Sequence, residues 1–398
     1  MNICFETFGC RLNRAEALAD EAQCLKRGHK IVHGHERADL IVVRGCSVTA
    51  RAQEDCERLL RHLRRKYPNK RVFVTGCLTG ARPFTLGRAA AADDAFEVPT
   101  GTSRGYLKVQ DGCDSRCTYC IIPTFRGRAR SIDFDTVLDR ARRFIDAGYH
   151  ELVVTGCNLV QYRSGERHLP ELLSALASLD RDGCRIRLGS LEPGPVTDAV
   201  IRVMAEHENI CRYLHLAVES ASDPVLVGMH RPYDVARLDA TVTLASGLMP
   251  RLGLGCDLIG GFPGEDRFDH KRTVHFLQRH GFAHVHAFPF SPRPQTMAAL
   301  RTDQIDEELR RERAHELAST GREIRAKFAQ RFVGHRVRIV VENTEVCGGW
   351  TGEYLWLEMG SHDRAACRQP LPARRELVTM RVAKADGGRL YGVPVPRD

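Results

Sequence analysis

Three cysteines within eight residues, Cys113-Asp114-Ser115-Arg116-Cys117-Thr118-Tyr119-Cys120, constrain this chain more than any other stretch. Three residues and then two separate them, so all three thiols can reach one centre, provided the backbone there is an irregular loop and not a helix. One reading is a structural zinc ion held by three thiolates and a histidine. Another is three unrelated small buried residues. A third is a four-iron cluster. Ferredoxins fill every position of such a cluster with cysteine because they only carry electrons. Three protein thiolates leave one iron open to a small molecule, which makes the cluster a place of binding and chemistry.

The flanks decide between these readings. Tyr106-Leu107-Lys108-Val109-Gln110-Asp111-Gly112 is an alternating, strand-like lead that ends on a turn. Cys120-Ile121-Ile122-Pro123 and Arg126-Gly127-Arg128 follow it. The whole stretch resembles the cluster loop of the radical S-adenosylmethionine (SAM) enzymes and, within them, the methylthiotransferases. The resemblance implies that SAM binds the open iron through its amino and carboxylate groups. It also implies that an electron from the cluster breaks the sulfonium bond to give a 5′-deoxyadenosyl radical. Cys113, Cys117 and Cys120 are then the catalytic ligands.

At 398 residues the chain has room for two or three domains. Its fifteen cysteines are odd in number and scattered, which does not read as a disulfide framework. The net charge of +9, from 59 basic and 50 acidic residues, is compatible with a nucleic-acid partner. No apolar run is long enough to span a membrane. The start, Met1-Asn2-Ile3-Cys4-Phe5-Glu6, lacks a basic-then-apolar signal pattern. A cytoplasmic protein without membrane partners is expected.

The first segment reads as repeated strand-then-helix units, hence a parallel sheet with helices on its faces. Strands are predicted over Ile3–Phe8, Leu40–Val43 and Arg71–Thr75, and helices over Asn13–Lys26 and Ala50–Tyr67. Each strand is followed by a glycine and then a cysteine: Gly9-Cys10, Gly45-Cys46, Gly76-Cys77. Ligands gather at the carboxyl edge of a parallel sheet, so these three distant cysteines can meet there. Buried strand-end cysteines are the plainer alternative. Thr7-Phe8-Gly9-Cys10-Arg11-Leu12-Asn13, Gly45-Cys46-Ser47-Val48-Thr49 and Val74-Thr75-Gly76-Cys77 resemble the three cysteine motifs of the methylthiotransferase N-terminal domain. The resemblance implies that Cys10, Cys46 and Cys77 hold an auxiliary 4Fe-4S cluster. The family usually has Asn-Thr before its second cysteine, where this chain has Arg44-Gly45. Arg58, Arg61, Arg64, Arg65 and Lys66 stud the following helix, as a solvated face or as a stripe facing phosphates. Residues 80–104, with Pro83, Pro99 and an alanine run, read as a linker.

From Arg104 to about Gln330 strands and helices alternate. Helices are predicted over Thr136–Ala147 and Leu169–Leu179. Strands are predicted over Glu151–Thr155, Arg185–Gly189, Tyr213–Val218, Leu252–Ile259 and His284–Phe288. With the lead into the cysteine loop these make six βα units, an open (β/α)6 partial barrel with its site at the strands' carboxyl ends. The resemblance places SAM contacts at those ends: Thr155, Gly156 and Asn158, then Ser190 and Glu192, then Glu219, with Tyr119 near the adenine. Glu219 departs from the glutamine usual in the tRNA-acting members. Cys157 reads as a core cysteine, as do Cys56 and the remaining scattered ones.

A charged helix over Asp303–Phe328 precedes short alternating stretches at Val337–Val341, Tyr354–Leu357 and Leu377–Val382, which read as a small antiparallel β barrel. Gly352-Glu353-Tyr354 lies in a stretch resembling the TRAM domain, an RNA-binding module. The fold expected is therefore α/β: an N-terminal parallel cluster domain (1–95), a radical SAM partial barrel (104–332) and a TRAM barrel (333–398). The resemblance implies two 4Fe-4S clusters, SAM, an electron donor of flavodoxin or ferredoxin type, a sulfur source left open, and the anticodon stem-loop of tRNA as partner. Thr7–Asn13 and Lys108–Asp114 look most like the members acting on N6-threonylcarbamoyladenosine. The isopentenyladenosine enzymes, the branch modifying a ribosomal-protein aspartate, and a non-catalytic iron–sulfur RNA-binding protein or redox sensor are the alternatives.

Overall fold

The computed structural model describes residues 1–79, 84, 96–179, 183–360 and 371–395. Most of the linker read over 80–104, and Cys367, lie outside the described residues.

Leu40–Gly45 is buried throughout and forms an inner strand of the N-terminal sheet. The order is Lys30–Ile31, Asn2–Thr7, Leu40–Gly45, Arg71–Gly76, all parallel. Successive residues of a strand point to opposite faces, and each face takes one helix. Cys24 of the helix Arg11–Lys26 packs with Ile3, Leu40 and Val42. Leu63 of the helix Ala50–Lys66 packs with Cys4, Ile41 and Val43. Thr49 starts the second helix by accepting a hydrogen bond from the Ala52 amide at 3.2 Å.

Six parallel strands follow in chain order: Gly105–Lys108, Glu151–Thr155, Arg185–Leu188, Tyr213–Glu219, Gly253–Gly260 and His284–Pro289. The third breaks at Gly189. Its first part pairs back with Glu151–Val154, and Ser190–Leu191 pairs forward with His215–Leu216. Among the described residues the first and sixth strands do not pair with each other, so the barrel is open on one side. Helices Phe134–Asp146, Leu169–Ala177, Pro195–Glu206, Val235–Leu248 and Arg267–His280 fill the crossovers, with one apolar core between them and the strands.

The charged helix runs over Glu307–Gln330, four residues later than its predicted start, with Asp306 at its N-cap and Asp303 outside it, paired with Arg301 at 2.9 Å. It leads into a closed barrel of five strands, Arg336–Asn343, Gly348–Trp350, Trp356–Glu358, Leu377–Asp386 and Arg389–Pro394. Tyr354, predicted in a strand, instead sits in a turn at φ +67°.

This small barrel closes the amino end of the large one. Arg185 and Arg187 are both buried. Arg185 donates to the carbonyls of Arg338 (2.8 Å) and Trp350 (2.6 Å), and Arg187 to those of Thr351 (2.8 Å) and Gly352 (3.2 Å). Tyr354 stacks between Trp350 and Tyr213, with 4.6 Å to each ring centroid. No helix among the described residues is long and apolar enough to cross a membrane.

Candidate active site

The loop carrying Cys113, Cys117 and Cys120 leaves the first strand of the large barrel. It has no regular structure from Gly112 to Cys117, as the cysteine spacing requires. Gly112 has φ +68°, and a Cβ there would lie 2.0 Å from the Arg128 carbonyl oxygen, so no other residue fits this turn. The loop is pinned at both ends. Cys113 donates its amide to Gly127 (3.1 Å), Thr118 donates to Met229 (3.1 Å), and Asp114 donates to Gln161 Oε1 (2.9 Å). Burial pushes the Cys120 thiol up to about 12. Burial also raises Cys117, against the pull of Arg231, whose Nη1 lies 3.0 Å from its sulfur. Thiols in such a setting ionise when a metal takes the charge.

The second trio sits at the carboxyl edge of the N-terminal sheet. Gly45 and Gly76 are register partners, so Cys46 and Cys77 leave adjacent strands at the same level. Cys10 starts the first helix. Gly9, at φ +95°, packs against Cys46, where a Cβ would be 2.8 Å from the sulfur. Asn13 donates to the carbonyls of Phe8 (2.8 Å) and Gly45 (3.0 Å) and ties two of the three motifs together. Burial pushes Cys46 up to about 11, with Cys77 and Cys10 close enough to add to the effect. Cys56, read as an ordinary core cysteine, accepts the Cys46 amide at 3.4 Å. The departure at Arg44-Gly45 has a local reason. Arg44 is buried against Glu16 (2.7 Å) and Asp20 of the first helix. A Cβ at Gly45 would run into Leu78, 2.1 Å from its Cδ1.

Spacing separates the zinc reading from the cluster reading. Tetrahedral zinc with bonds of about 2.3 Å draws its sulfurs to roughly 3.8 Å from one another. Among the described residues the sets of three ligand atoms within 4.8 Å are Cys4–Glu6–His35 and His215–Asp257–His286, and neither cysteine trio is that tight. A cubane, bonded corner by corner, holds its thiolates wider than a single ion does. Neither trio is thus drawn in to single-ion geometry, and three thiolate donors are a set that a 4Fe-4S cluster can take.

Both halves of the molecule open on one cavity of about 420 Å³. Cys10 and Thr49 line it from the N-terminal sheet, and Cys113, Cys117 and Cys120 line it from the barrel loop. Of the predicted SAM contacts, Tyr119, Asn158, Ser190, Glu192 and Glu219 line it. Thr155 and Gly156 do not: Gly156 packs behind the wall, where a Cβ would be 2.9 Å from Gln110. Cys157 is corrected from core residue to wall residue, its thiol 3.5 Å from Asp111 Oδ1. Asn158 Nδ2 donates to Glu192 at 3.0 Å, and Arg231 pairs with Glu192 at 2.9 Å. Glu219 lies on a bulge of its strand at φ +60°, a strained conformation of the kind kept at functional sites. Burial pushes its carboxyl up to about 7.

Sequence reading missed Arg231, Asp257 and Phe290-Ser291, which complete the wall. Ser291 also accepts the Ala50 amide at 3.0 Å, docking the second helix of the N-terminal sheet on the barrel's rim. It missed the role of Arg126 as well, although Arg126-Gly127-Arg128 stood out. Arg126 is buried between the two trios. It lies 3.3 Å from Cys77 Sγ, 3.0 Å from both Glu16 and Asp111, and 2.7 Å from Asn13 Oδ1. Arg126→Gln is expected to destabilise the protein by about 3 kcal/mol, because Glu16 and Asp111 lose a buried partner. Denaturant unfolding should read this, and Arg126→Lys should recover part of it.

An open parallel barrel crowned by a three-cysteine loop is the framework of the radical SAM superfamily, which residues 107–277 match. Residues 2–96 match a family described as "Uncharacterized protein family UPF0004". The chain is 32% identical over 359 residues to the threonylcarbamoyladenosine tRNA methylthiotransferase MtaB of Chlamydia pneumoniae, covering 84% of this chain and 85% of that protein. It is 29% identical over 401 residues to MtaB of Bacillus subtilis, covering 89% of each. It is 30% identical over 383 residues to the tRNA-2-methylthio-N(6)-dimethylallyladenosine synthase of Chlorobium chlorochromatii, covering 84% and 85%. The chain belongs to the radical SAM methylthiotransferase family. Among solved structures, the radical SAM methyltransferase TsrM of Kitasatospora setae shares the fold, with TM-score 0.51 and 14% identity over 75% of this chain and 77% of that one. Membership makes the protein an enzyme and implies SAM and a 4Fe-4S cluster as cofactors.

Proposed function

We propose that this enzyme inserts a methylthio group at C2 of N6-threonylcarbamoyladenosine at position 37 of tRNA. The observation that carries the proposal is the shared cavity: Cys10 of one trio and all of Cys113, Cys117 and Cys120 face the same 420 Å³ space. The MtaB proteins among the relatives support the choice of base. The C2–H bond is neither acidic nor activated, so no general base can open it. Cys113, Cys117 and Cys120 would hold a 4Fe-4S cluster, which would supply the one-electron reduction of SAM and with it the radical chemistry such a bond needs. Cys10, Cys46 and Cys77 would hold a second 4Fe-4S cluster, which would serve sulfur delivery, and Cys10 brings that site to the same cavity.

The remaining assignments rest on the family resemblance. Asn158, Ser190, Glu192 and Glu219 face the amino-acid and ribose parts of SAM, and Tyr119 stands near its adenine. The units are 1–95, 104–332 and 333–398, the last a TRAM domain that meets RNA with the surface left after Tyr354 is committed to the interface. The helix Ala50–Lys66 starts beside the cavity, and its exposed Arg58 and Arg61 lead away from it as a track for phosphates. The protein works in the cytoplasm with a flavodoxin- or ferredoxin-type reductant. From two SAM, one sulfur atom given up by a separate sulfur carrier, and electrons from the reductant, the products would be methylthio-tRNA, 5′-deoxyadenosine, methionine and S-adenosylhomocysteine.

Anaerobically reconstituted protein is expected to hold about eight irons per chain, four for each cubane. Given SAM, reductant and an anticodon stem-loop carrying the threonylcarbamoyl base, it should yield the methylthio nucleoside by mass spectrometry. Four irons and no such nucleoside would sink the proposal.

A further inference from the structure

Below the cavity the lumen of the large barrel carries a chain of polar side chains. Tyr213 Oη lies 2.7 Å from His215 Nδ1. His215 Nε2 lies 3.1 Å from Asp257 Oδ2, and His286 Nδ1 lies 3.2 Å from Asp257 Oδ1. The groups come from three neighbouring strands, with Asp257 directly opposite His286. Gly255 makes the room, since a Cβ there would sit 2.1 Å from Tyr213 Oη. Tyr213 and His215 are buried, Asp257 lines the cavity, and the side chain of His286 is 50% exposed. The chain thus runs from the closed floor of the barrel to Asp257 in the wall of the active site, and half-exposed His286 is held to Asp257 beside that wall.

Chemistry fixes the direction of these bonds. An ionised Asp257 only accepts, so both imidazoles donate to it. With His215 neutral, its Nδ1 accepts and Tyr213 donates to it. His286 has its Nδ1–H committed, and among the described residues its Nε2 has no hydrogen-bond partner. Aliphatic side chains would fill a lumen with no desolvation penalty. A fully satisfied polar chain ending on an available ring nitrogen makes sense where a polar ligand arrives.

We propose that His286, oriented by Asp257, His215 and Tyr213, is a subsite for the polar arm on N6 of the modified adenosine. This rests on the proposed function and selects within it. A threonylcarbamoyl arm brings a hydroxyl and urea N–H groups that can donate to His286 Nε2. An isopentenyl arm would strip that nitrogen of water and return nothing, the situation in which polar sites reject apolar analogues.

The test uses cluster-loaded protein under anaerobic conditions and two stem-loops that differ only in carrying N6-threonylcarbamoyladenosine or plain adenosine. The native protein should prefer the modified loop about tenfold, the size of one lost hydrogen bond. His286→Phe keeps the ring shape and loses both nitrogens, and should bring the two affinities together. His286→Gln should restore part of the preference. A preference that survives in His286→Phe overturns the subsite alone. Equal binding of both loops by the native protein overturns the substrate reading and the subsite with it. Stoichiometric zinc or manganese in the native protein, lost in His286→Phe, would make the three groups a cation site and also overturn the proposal.

Discussion

Cys113→Ala is expected to abolish 5′-deoxyadenosine formation by the reduced, SAM-loaded protein. The loss should exceed the roughly 100-fold that follows removal of an outer-shell partner at a metal site, because a ligand itself is gone. The loop should survive the change: its anchors are the Cys113 amide on Gly127, the Asp114 amide on Gln161 and the Thr118 amide on Met229, and none uses the thiol. Cys46→Ala should behave differently. Its sulfur lies behind Gly9 and away from the cavity wall, so SAM cleavage should stay within the same order of magnitude while methylthio product disappears. The pair of variants, followed by quantifying 5′-deoxyadenosine and the methylthio nucleoside in one reaction, separates radical generation from sulfur delivery. Full methylthio product from Cys46→Ala would remove the second trio from the chemistry.

Whatever depended on local spacing was legible in the sequence. The Gly-Cys pairs after three strands could be located because a parallel sheet puts equivalent strand ends on one edge, and the register Gly45 to Gly76 is what that argument needs. The irregular cluster loop followed from the cysteine spacing. Long-range pairings were not legible. Arg126 reads as one basic residue in a basic stretch until the fold brings Glu16 from more than a hundred residues away. Cys157 reads as core because a small apolar residue after a strand usually is. It reaches the cavity because its strand ends there. Tyr354 reads as strand because aromatic residues favour strands, yet stacking between Trp350 and Tyr213 holds it in a turn. Asp257 and His286 carry no motif at all, since their meaning lies in facing each other across two strands.

The strand Arg185-Ile186-Arg187-Leu188 makes the same point and leads to the largest expected effect on stability. Alternation would leave its arginines at the surface, but all four residues are buried. Glu151, fully buried on the neighbouring strand, accepts from Arg185 Nε at 2.6 Å and Arg187 Nε at 2.7 Å. Nη atoms of both arginines also donate to carbonyls of the small barrel. Burial alone would raise the Glu151 pKa, but Arg185 and Arg187 override it and hold the carboxyl far below its ordinary 4.5. A depressed folded-state pKa adds stability that is complete above the unfolded value and is lost as pH falls below it. Glu151→Gln leaves two buried guanidiniums without their anion and should destabilise the protein by about 3–5 kcal/mol. It should also flatten the loss of stability below pH 4.5. Because the same arginines hold the C-terminal barrel, limited proteolysis of the variant should release that barrel at denaturant concentrations where the native chain resists. A variant as stable as the native protein, with the same acid limb, would mean that backbone packing and not this ion cluster joins the two barrels.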